Sequence, residues 1–419
     1  MADHGDRGFH NIVKVLRHRG FFYYSLGSLS SQVGNHAYRV AAGWLMWDLT
    51  HSAIWLGVLG FAQQVSAVVS PLAGAMADRM DRLYLTRLSN FLLFVQGALL
   101  AALSLYDLCT ASLLAFLSLF QGLLGSIDQP ARYALYPTLI GPSDLTTAVA
   151  VDSITFNTAR LIGPLIAGYA IVHYDTSLAF MVNAVSYGIF CLCLCLVSAP
   201  AEAPRQARQS NLLQDMREGF SYGFRHPGIG PMLSLLAITT MLSMPLQNLL
   251  PGYTEEVFHQ GAVGLSWLNS VMGLGAMVGA LWMARKGDHF GLTGVMVRSL
   301  LFAGLAMLLL TATEFFWVGL ISVGFSGVCS NLSRGSSQTL IQNAVEGRMR
   351  GRVISLFSMI FRAGPAIGAL VMGMAAEAFG FRAPLIVAGI LLIVAWGWAQ
   401  RRSGPMAAVL EVDSRRRVR

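Results

Sequence analysis

The sequence predicts an all-α membrane protein whose transmembrane helices form two sets of six. Three observations support this prediction. Hydrophobic residues make up 55% of the chain and charged residues only 12%, whereas a soluble domain has about 25% charged residues. Long apolar segments recur along the whole chain, and a polar, proline-rich stretch interrupts them near its middle. A chain this poor in charge cannot cover a water-exposed surface, which excludes a soluble globular protein.

Twelve apolar segments are each long enough to cross a bilayer, which takes about 20 residues. They cover residues 21–47, 53–77, 84–106, 111–135, 146–173, 177–198, 229–252, 263–285, 293–313, 315–338, 352–378 and 383–400. Their length excludes the short strands of a membrane barrel. The 43 glycines favour close helix packing in lipid.

Lysine and arginine are distributed unevenly among the predicted loops. With the N-terminus inside, most of the 29 Lys and Arg residues lie on the inside and only Arg382 lies outside. This bias predicts a multi-pass inner-membrane protein with both termini cytoplasmic. The net charge of +8 therefore reflects topology, and we expect contact with membrane lipids but no nucleic-acid partner.

The polar stretch near the middle divides the chain into four predicted regions. Residues 1–199 form an N-terminal six-helix bundle, and residues 200–228 form a cytoplasmic linker with an amphipathic helix. Residues 229–402 form a C-terminal six-helix bundle, and residues 403–419 form a basic cytoplasmic tail. We expect the chain to function as a monomer.

The two predicted bundles contain an internal repeat. A shift of 202 residues places Arg132 on Arg334 and Arg160 on Arg362. The two arginines of each pair therefore lie at equivalent places in corresponding helices of the two bundles. Parallel repeats that enclose a site near the bilayer midplane are typical of secondary transporters.

A Gly-Pro pair accompanies the repeat. ARLIGP places Gly163 and Pro164 after the arginine of the first bundle, and FRAGP places Gly364 and Pro365 after that of the second. GPLIAG, which ends at Gly168, resembles the Gly-Pro-rich antiporter motif of drug and metabolite exporters. We expect these five residues to let helices pack closely.

The loop after the second predicted helix reads GAMADRMDRLYLTR, residues 74–87. Its Gly74, Asp78, Arg79 and Arg82 resemble the signature loop G-x-x-x-D-R-x-G-R-R of the major facilitator superfamily. The resemblance extends over essentially the whole chain, and it implies the major facilitator fold with a gating function for these four residues.

Two positions of this loop depart from the motif. The second glycine is Asp81 here, and the final arginine is Leu83. The family resemblance implies that Asp78 helps to hold the two halves together on the cytoplasmic side. The alternative is that the arginines of the loop only fix the topology.

Other segments resemble the enterobactin-exporter branch of the superfamily. They are LMWDLTHSAIWLGVLGF at 45–61, IDQPARYALYP at 127–137 and DSITFNTARLIGP at 152–164. The helix-four motif R-x-x-Q-G of drug:proton antiporters is incomplete, since Ser118 stands at the arginine position.

The resemblance implies a secondary transporter, and no enzyme. We expect proton-coupled export of a small organic solute, such as a siderophore, metabolite or drug, by alternating access. Two alternatives stay open: transport of a lysolipid or another organic anion, and a transport-inactive membrane sensor or assembly partner. No cofactor or metal is expected, since the chain lacks a phosphate-binding GK[ST] loop and metal-ligand spacing.

Charged residues within the membrane are costly and need partners. Asp128 precedes Arg132 by four residues, and Asp152 precedes Arg160 by eight, so each pair shares one helix face. In one interpretation Asp128 or Asp152 exchanges protons. In the other, these charges form permanent bridges that hold the helices in register.

Polar side chains at membrane depth are candidates to line a substrate cavity, although interhelical hydrogen bonding alone would also explain them. The candidates are Arg39, Gln63, Asn157, Arg160, Gln247 and Arg362. The tryptophans Trp44, Trp47 and Trp55 are predicted to form an interfacial belt.

Overall fold

The computed structural model of the protein describes residues 13–66, 80–141, 144–197, 212–286, 291–345 and 349–411. The described residues contain helices and no strand. The helices are α1 (Arg19–Thr50), α2 (Ala53–Val65), α3 (Arg82–Leu105), α4 (Ala111–Ile140), α5 (Leu145–His173), α6 (Thr176–Cys195), α7 (Leu212–Arg225), α8 (Ile229–Leu242), α9 (Leu246–Glu256), α10 (Ala262–Lys286), α11 (Leu292–Thr311), α12 (Phe316–Ala344), α13 (Arg350–Phe379) and α14 (Arg382–Leu410). This is the all-α membrane fold that the composition predicts.

Within these ranges, nine segments are long and apolar enough to cross a membrane. They are α3, α4, α6, α8 with α9, and each helix from α10 to α14. α1 and α5 are long enough too, but they carry polar residues in their interiors, including the run SSQVGNHAYR in α1. Polar groups inside a spanning helix usually face protein or water, so these two helices are where a site is expected.

The described helices form two compact units. One unit takes in the described parts of Met1–Leu45 and Val69–Ala207, and the other takes in those of Met46–Val68 and Arg208–Arg419. The end of α1 and the whole of α2 therefore group with the helices from α7 to α14.

In the first unit, α1 and α6 approach each other through small residues. A Cβ at Gly27 would lie 2.3 Å from the Phe190 ring, and one at Gly34 would lie 1.9 Å from Ser186 Oγ. Only glycine allows this separation, because any side chain would overlap the neighbouring helix. Lipid offers no hydrophobic drive for helix association, so such close contact is what stabilises the pair.

In the second unit, glycines allow the same close packing between α10 and α12. A Cβ at Gly275 would lie 1.9 Å from the carbonyl oxygen of Gly324, and one at Gly327 would lie 2.2 Å from that of Met272. The two backbones are therefore in direct contact, which fixes α10 on α12.

The observed helix boundaries differ from the predicted ones, notably near Pro245 and at the end of the last helix. The segment predicted as one helix over 229–252 is divided into α8 and α9, and Pro245 is the residue that precedes α9. A proline lacks the N–H that would continue the helix. The last helix, predicted to end at residue 400, continues to Leu410, where Arg402 lies over the Trp398 ring at 4.8 Å.

The side chain of Trp47 is buried within the protein, whereas a residue of the predicted interfacial belt would contact lipid headgroups. Its side chain is 2% exposed, and its indole Nε1 donates a hydrogen bond to Glu255 at 2.8 Å. A polar partner 208 residues away leaves no signal in the local sequence, so this hydrogen bond could not be predicted.

Candidate substrate and coupling site

A buried ring of polar groups joins α3 to α4. Arg132 Nε lies 2.5 Å from Asp128 Oδ2, and Arg132 Nη2 donates to Asn90 Oδ1 at 2.8 Å. Asn90 Nδ2 closes the ring by donating to Asp128 Oδ1 at 2.8 Å. Arg132 also lies over the Phe190 ring at 4.4 Å and donates to Ser31 Oγ at 3.4 Å, which extends the ring to α6 and α1.

Both carboxylate oxygens of Asp128 are therefore engaged. The side chain of Asp128 is 7% exposed and that of Arg132 is 13% exposed. Removing one partner of a buried pair leaves an uncompensated charge, which typically costs about 3–5 kcal/mol. The ring thus holds helices of the first unit together.

Asp152 occupies a different environment. It lines a small pocket between α1, α4 and α5 in which hydroxyl groups predominate over charges. The other lining residues are Phe21, Tyr24, Ser25, Ser28, Tyr136, Val151 and Thr155. Hydroxyl groups can both donate and accept hydrogen bonds, so this pocket offers partners to either protonation state of the carboxyl group.

A cationic cluster forms where α5 packs on α1. Arg39 and Arg160 both act electrostatically on His36. Arg39 is exposed and Arg160 is half-buried, while the His36 ring meets the Phe156 ring edge-on at 5.5 Å. We define the cationic cluster as Arg39 and Arg160, the two charged groups that act on His36. The sequence predicted the two arginines but missed His36.

The Gly-Pro motif of α5 supports the position of this cluster. A Cβ at Gly163 would lie 2.6 Å from His36 Cβ and 2.8 Å from the Val33 carbonyl oxygen. Gly163, Pro164 and Gly168 are all buried. The close approach of α5 to α1 therefore depends on Gly163, one turn after Arg160.

Ser118 shows what stands at the arginine position of the incomplete helix-four motif. Ser118 is fully buried, and its Oγ lies 2.7 Å from the Tyr38 hydroxyl group. Gln121 of the same motif donates from Nε2 to Asn35 Oδ1 at 3.2 Å. Neutral hydrogen bonds between α1 and α4 thus occupy this site, in place of a guanidinium.

The second unit repeats two features of the first. Arg334 lies over the Phe361 ring at 5.6 Å, as Arg132 does over Phe190. A Cβ at Gly364 would lie 2.4 Å from Thr240 Oγ1, so α13 packs on α8 as α5 packs on α1. Arg362 is half-buried on α13.

The small residues of α13 extend this contact with α8. Pro365 is buried beside Gly364. A Cβ at Gly368 would lie 2.3 Å from the carbonyl oxygen of Met241 and 2.6 Å from Pro245 Cγ.

The three candidate amides lie in three settings. Gln247 Nε2 donates to Asn269 Oδ1 at 3.1 Å between α9 and α10. Gln63 is half-buried on α2, and its Nε2 has no hydrogen-bond partner among the described residues. Asn157 Nδ2 donates to the Ser153 carbonyl oxygen of its own helix at 2.7 Å.

Of the predicted gating loop, the structure describes only its end. Gly74, Asp78 and Arg79 lie outside the described residues. Arg82 begins α3 and donates from Nη1 to the Ala134 carbonyl oxygen at 3.0 Å.

The Asp81 departure from the signature motif has a local structural reason. Asp81 is the N-cap of α3, and its carboxylate accepts from the Tyr84 N–H at 2.8 Å. An acidic N-cap satisfies a free backbone N–H group and is favoured by the helix dipole.

Comparison with known proteins decides the family. The model of the family described as "Transmembrane secretion effector" matches residues 13–417. The chain belongs to this family of the major facilitator superfamily. It is a multi-pass membrane transporter, and the predicted resemblance to the major facilitator superfamily is confirmed.

Relatives of this chain include two transporters with named substrates. It is 26% identical over 374 residues to the staphyloferrin A transporter of Staphylococcus aureus (strain NCTC 8325 / PS 47), covering 88% of this chain and 93% of the relative. It is 28% identical over 367 residues to the enterobactin exporter EntS of Escherichia coli O1:K1 / APEC, covering 83% and 84%.

Solved structures show the same fold at low identity. The nucleoside transporter NupG has a TM-score of 0.72 at 14% identity, covering 91% of this chain and 98% of that one. A bacterial homolog of the human lysosomal transporter Spinster has a TM-score of 0.71 at 14% identity, covering 96% and 99%.

Proposed function

We propose that this transporter exports a small organic anion of the siderophore class across the inner membrane. The cationic cluster of Arg39 and Arg160, beside His36, is the observation that supports the proposal. A guanidinium at membrane depth is costly and is retained where it meets an anion, water or polar protein groups. The named substrates of the two relatives agree with this chemistry.

The chemistry of the cluster suits a carboxylate or catecholate group. Arginine has a planar fork of N–H donors that binds a carboxylate through two parallel hydrogen bonds. Two arginines on neighbouring helices could share one such ligand, and the Phe156 ring beside His36 adds an aromatic surface for the body of an organic anion.

Proton coupling is assigned to Asp152 in this proposal. Asp128 is held by Arg132 and Asn90, so its protonation would disrupt the ring that joins the helices. Asp152 lines a pocket of hydroxyl groups instead, where its carboxyl group can gain or lose a proton while keeping hydrogen-bond partners.

The repeated architecture and the family support alternating access. In each unit a Gly-Pro helix is packed on its neighbour through a glycine, α5 on α1 and α13 on α8. Such small-residue contacts can separate and re-form without leaving large side chains exposed. The basic loops support a topology with both termini in the cytoplasm.

Transport in liposomes tests the proposal. The full-length protein is reconstituted and offered staphyloferrin A, enterobactin, a nucleoside and a lysophospholipid, each with and without a pH gradient. We expect a siderophore to move only when the gradient is present. Arg160→Gln should slow that transport about 10- to 100-fold, since a hydrogen bond to a charged group is worth about 1.5–3 kcal/mol.

Arg382→Gln is the matched control, because the side chain of Arg382 is 41% exposed and pairs with an exposed Glu314. That variant should transport normally, and Arg160→Lys should recover part of the lost rate. Movement of the lysophospholipid or nucleoside alone, or full siderophore transport by Arg160→Gln, would contradict the proposal.

A further inference from the structure

Glu377, in the last turn of α13, caps the beginning of α2. Its Oε2 accepts the Ala53 N–H at 2.6 Å, the Ile54 N–H at 3.3 Å and the Ser52 hydroxyl group at 3.0 Å. Glu377 lies more than 320 residues from this segment in the sequence, and both belong to the second structural unit.

The electrostatics at the N-terminus of α2 favour contact with the Glu377 carboxylate. The first N–H groups of α2 have no partner within the helix and carry a partial positive charge, which an anion stabilises. Ser52 stands at the N-cap but makes no side-chain cap of its own. A carboxylate from another helix therefore replaces the local cap, and its hydrogen bonds are charge-assisted.

A second carboxylate binds the adjacent end of α1. Glu255, in the last turn of α9, accepts the Trp47 Nε1–H at 2.8 Å. The Trp47 ring also packs edge-on against Phe381 at 5.4 Å, and Phe381 lies directly over Gly252. Two independent acceptors in the second unit thus hold the α1–α2 corner.

Below Glu377, α2 and α13 are in backbone contact. A Cβ at Gly57 would lie 2.6 Å from the Ala369 carbonyl oxygen, and one at Gly373 would lie 2.6 Å from that of Ala53. A Cβ at Gly60 would contact Ala369 Cβ at 2.9 Å. At Gly57 and Gly373 the contact is therefore made by backbone atoms of the two helices.

We propose that Glu377, Glu255 and Trp47 form an outer latch that holds the predicted outer end of the transport pathway closed. The sequence assigns α2 to the first set of six helices, whereas the latch binds it to α13 of the second set. Opening of the pathway toward the outside must therefore break these hydrogen bonds. The inference rests on alternating access in the proposed function, but it does not depend on the substrate.

Cysteine labelling of the full-length protein tests the latch without any substrate. Ala369 is fully buried where α2 packs, so Ala369→Cys in a background with the five native cysteines replaced reports exposure to a membrane-impermeant maleimide. Glu377→Gln should increase the labelling rate, and Glu377→Ala should increase it further, ~5- to 30-fold over the parent.

Gly57→Ala opens the same contact by overlap with the Ala369 carbonyl group and leaves Glu377 intact, so it should also increase labelling. Glu314→Gln is the matched control, because the side chain of Glu314 is 76% exposed in its pair with Arg382, and its labelling should equal that of the parent. Equal labelling of folded Glu377→Gln, Gly57→Ala and parent proteins overturns the latch, whatever the substrate assays give.

Discussion

Arg132 and Asp128 lie one turn apart on α4 and form a buried ion pair, with Arg132 Nε 2.5 Å from Asp128 Oδ2. Asn90 binds both members, so each charge has a partner on a second helix. A pair closed in this way stabilises the helix arrangement, because neither charge can lose its partner without an energetic cost.

Asp128→Asn should destabilise the protein by about 3–5 kcal/mol, since it leaves the Arg132 guanidinium buried beside a neutral amide. The measurement is thermal unfolding of the purified protein in detergent. The control is Glu314→Gln, which should lower the stability by less than about 1 kcal/mol. A stable Asp128→Asn protein that has lost only its response to a pH gradient would instead assign proton exchange to Asp128.

Asp152→Asn should have the opposite profile. The amide keeps the size of the side chain and can still form hydrogen bonds with hydroxyl groups of the pocket. The free energy of unfolding should therefore change by less than about 1 kcal/mol. Transport should no longer depend on the pH gradient, while exchange of labelled substrate at equal pH continues. Retention of gradient-driven transport would exclude Asp152 as the coupling residue.

Gly163→Ala should separate α5 from α1, because its Cβ would lie 2.6 Å from His36 Cβ. Overpacking of this kind costs about 1–3 kcal/mol, and it displaces Arg160 from the cluster. Gly125→Ala is the matched control, since nothing lies within 4 Å of a Cβ at Gly125 of α4. The unfolding temperature should fall below that of the parent protein for Gly163→Ala and stay unchanged for Gly125→Ala.

The fold could be predicted because lipid imposes a strong constraint on sequence. Every backbone polar group of a spanning segment must bond within its helix, so long apolar runs identify helices directly. The boundaries near Pro245 and Leu410 were wrong for separate reasons. Pro245 lies inside an apolar run, whereas α14 continues past its apolar part through Gly404 and Pro405, two residues that predict a helix end.

The candidate site was predictable only where partners are close in sequence. Asp128 and Arg132 are four residues apart, and their pairing follows from helix geometry. His36 stands three residues before Arg39, a spacing that could have revealed it. Glu377 and Ala53 are 324 residues apart, and no local pattern indicates that one caps the other.

The Tyr38–Ser118 pair allows a last prediction about the incomplete helix-four motif. Tyr38→Phe and Ser118→Ala should each lower the stability of the protein by about 1 kcal/mol. The double variant should be only slightly less stable than either, because the second change removes no further hydrogen bond. Ser118→Arg restores the motif residue but places a guanidinium where the side chain is fully buried, so it should destabilise the protein by at least about 3 kcal/mol. A stable Ser118→Arg protein with faster gradient-driven transport would show instead that the arginine position is functional here. Unfolding in detergent and liposome transport, measured on the same four variants, distinguish these outcomes.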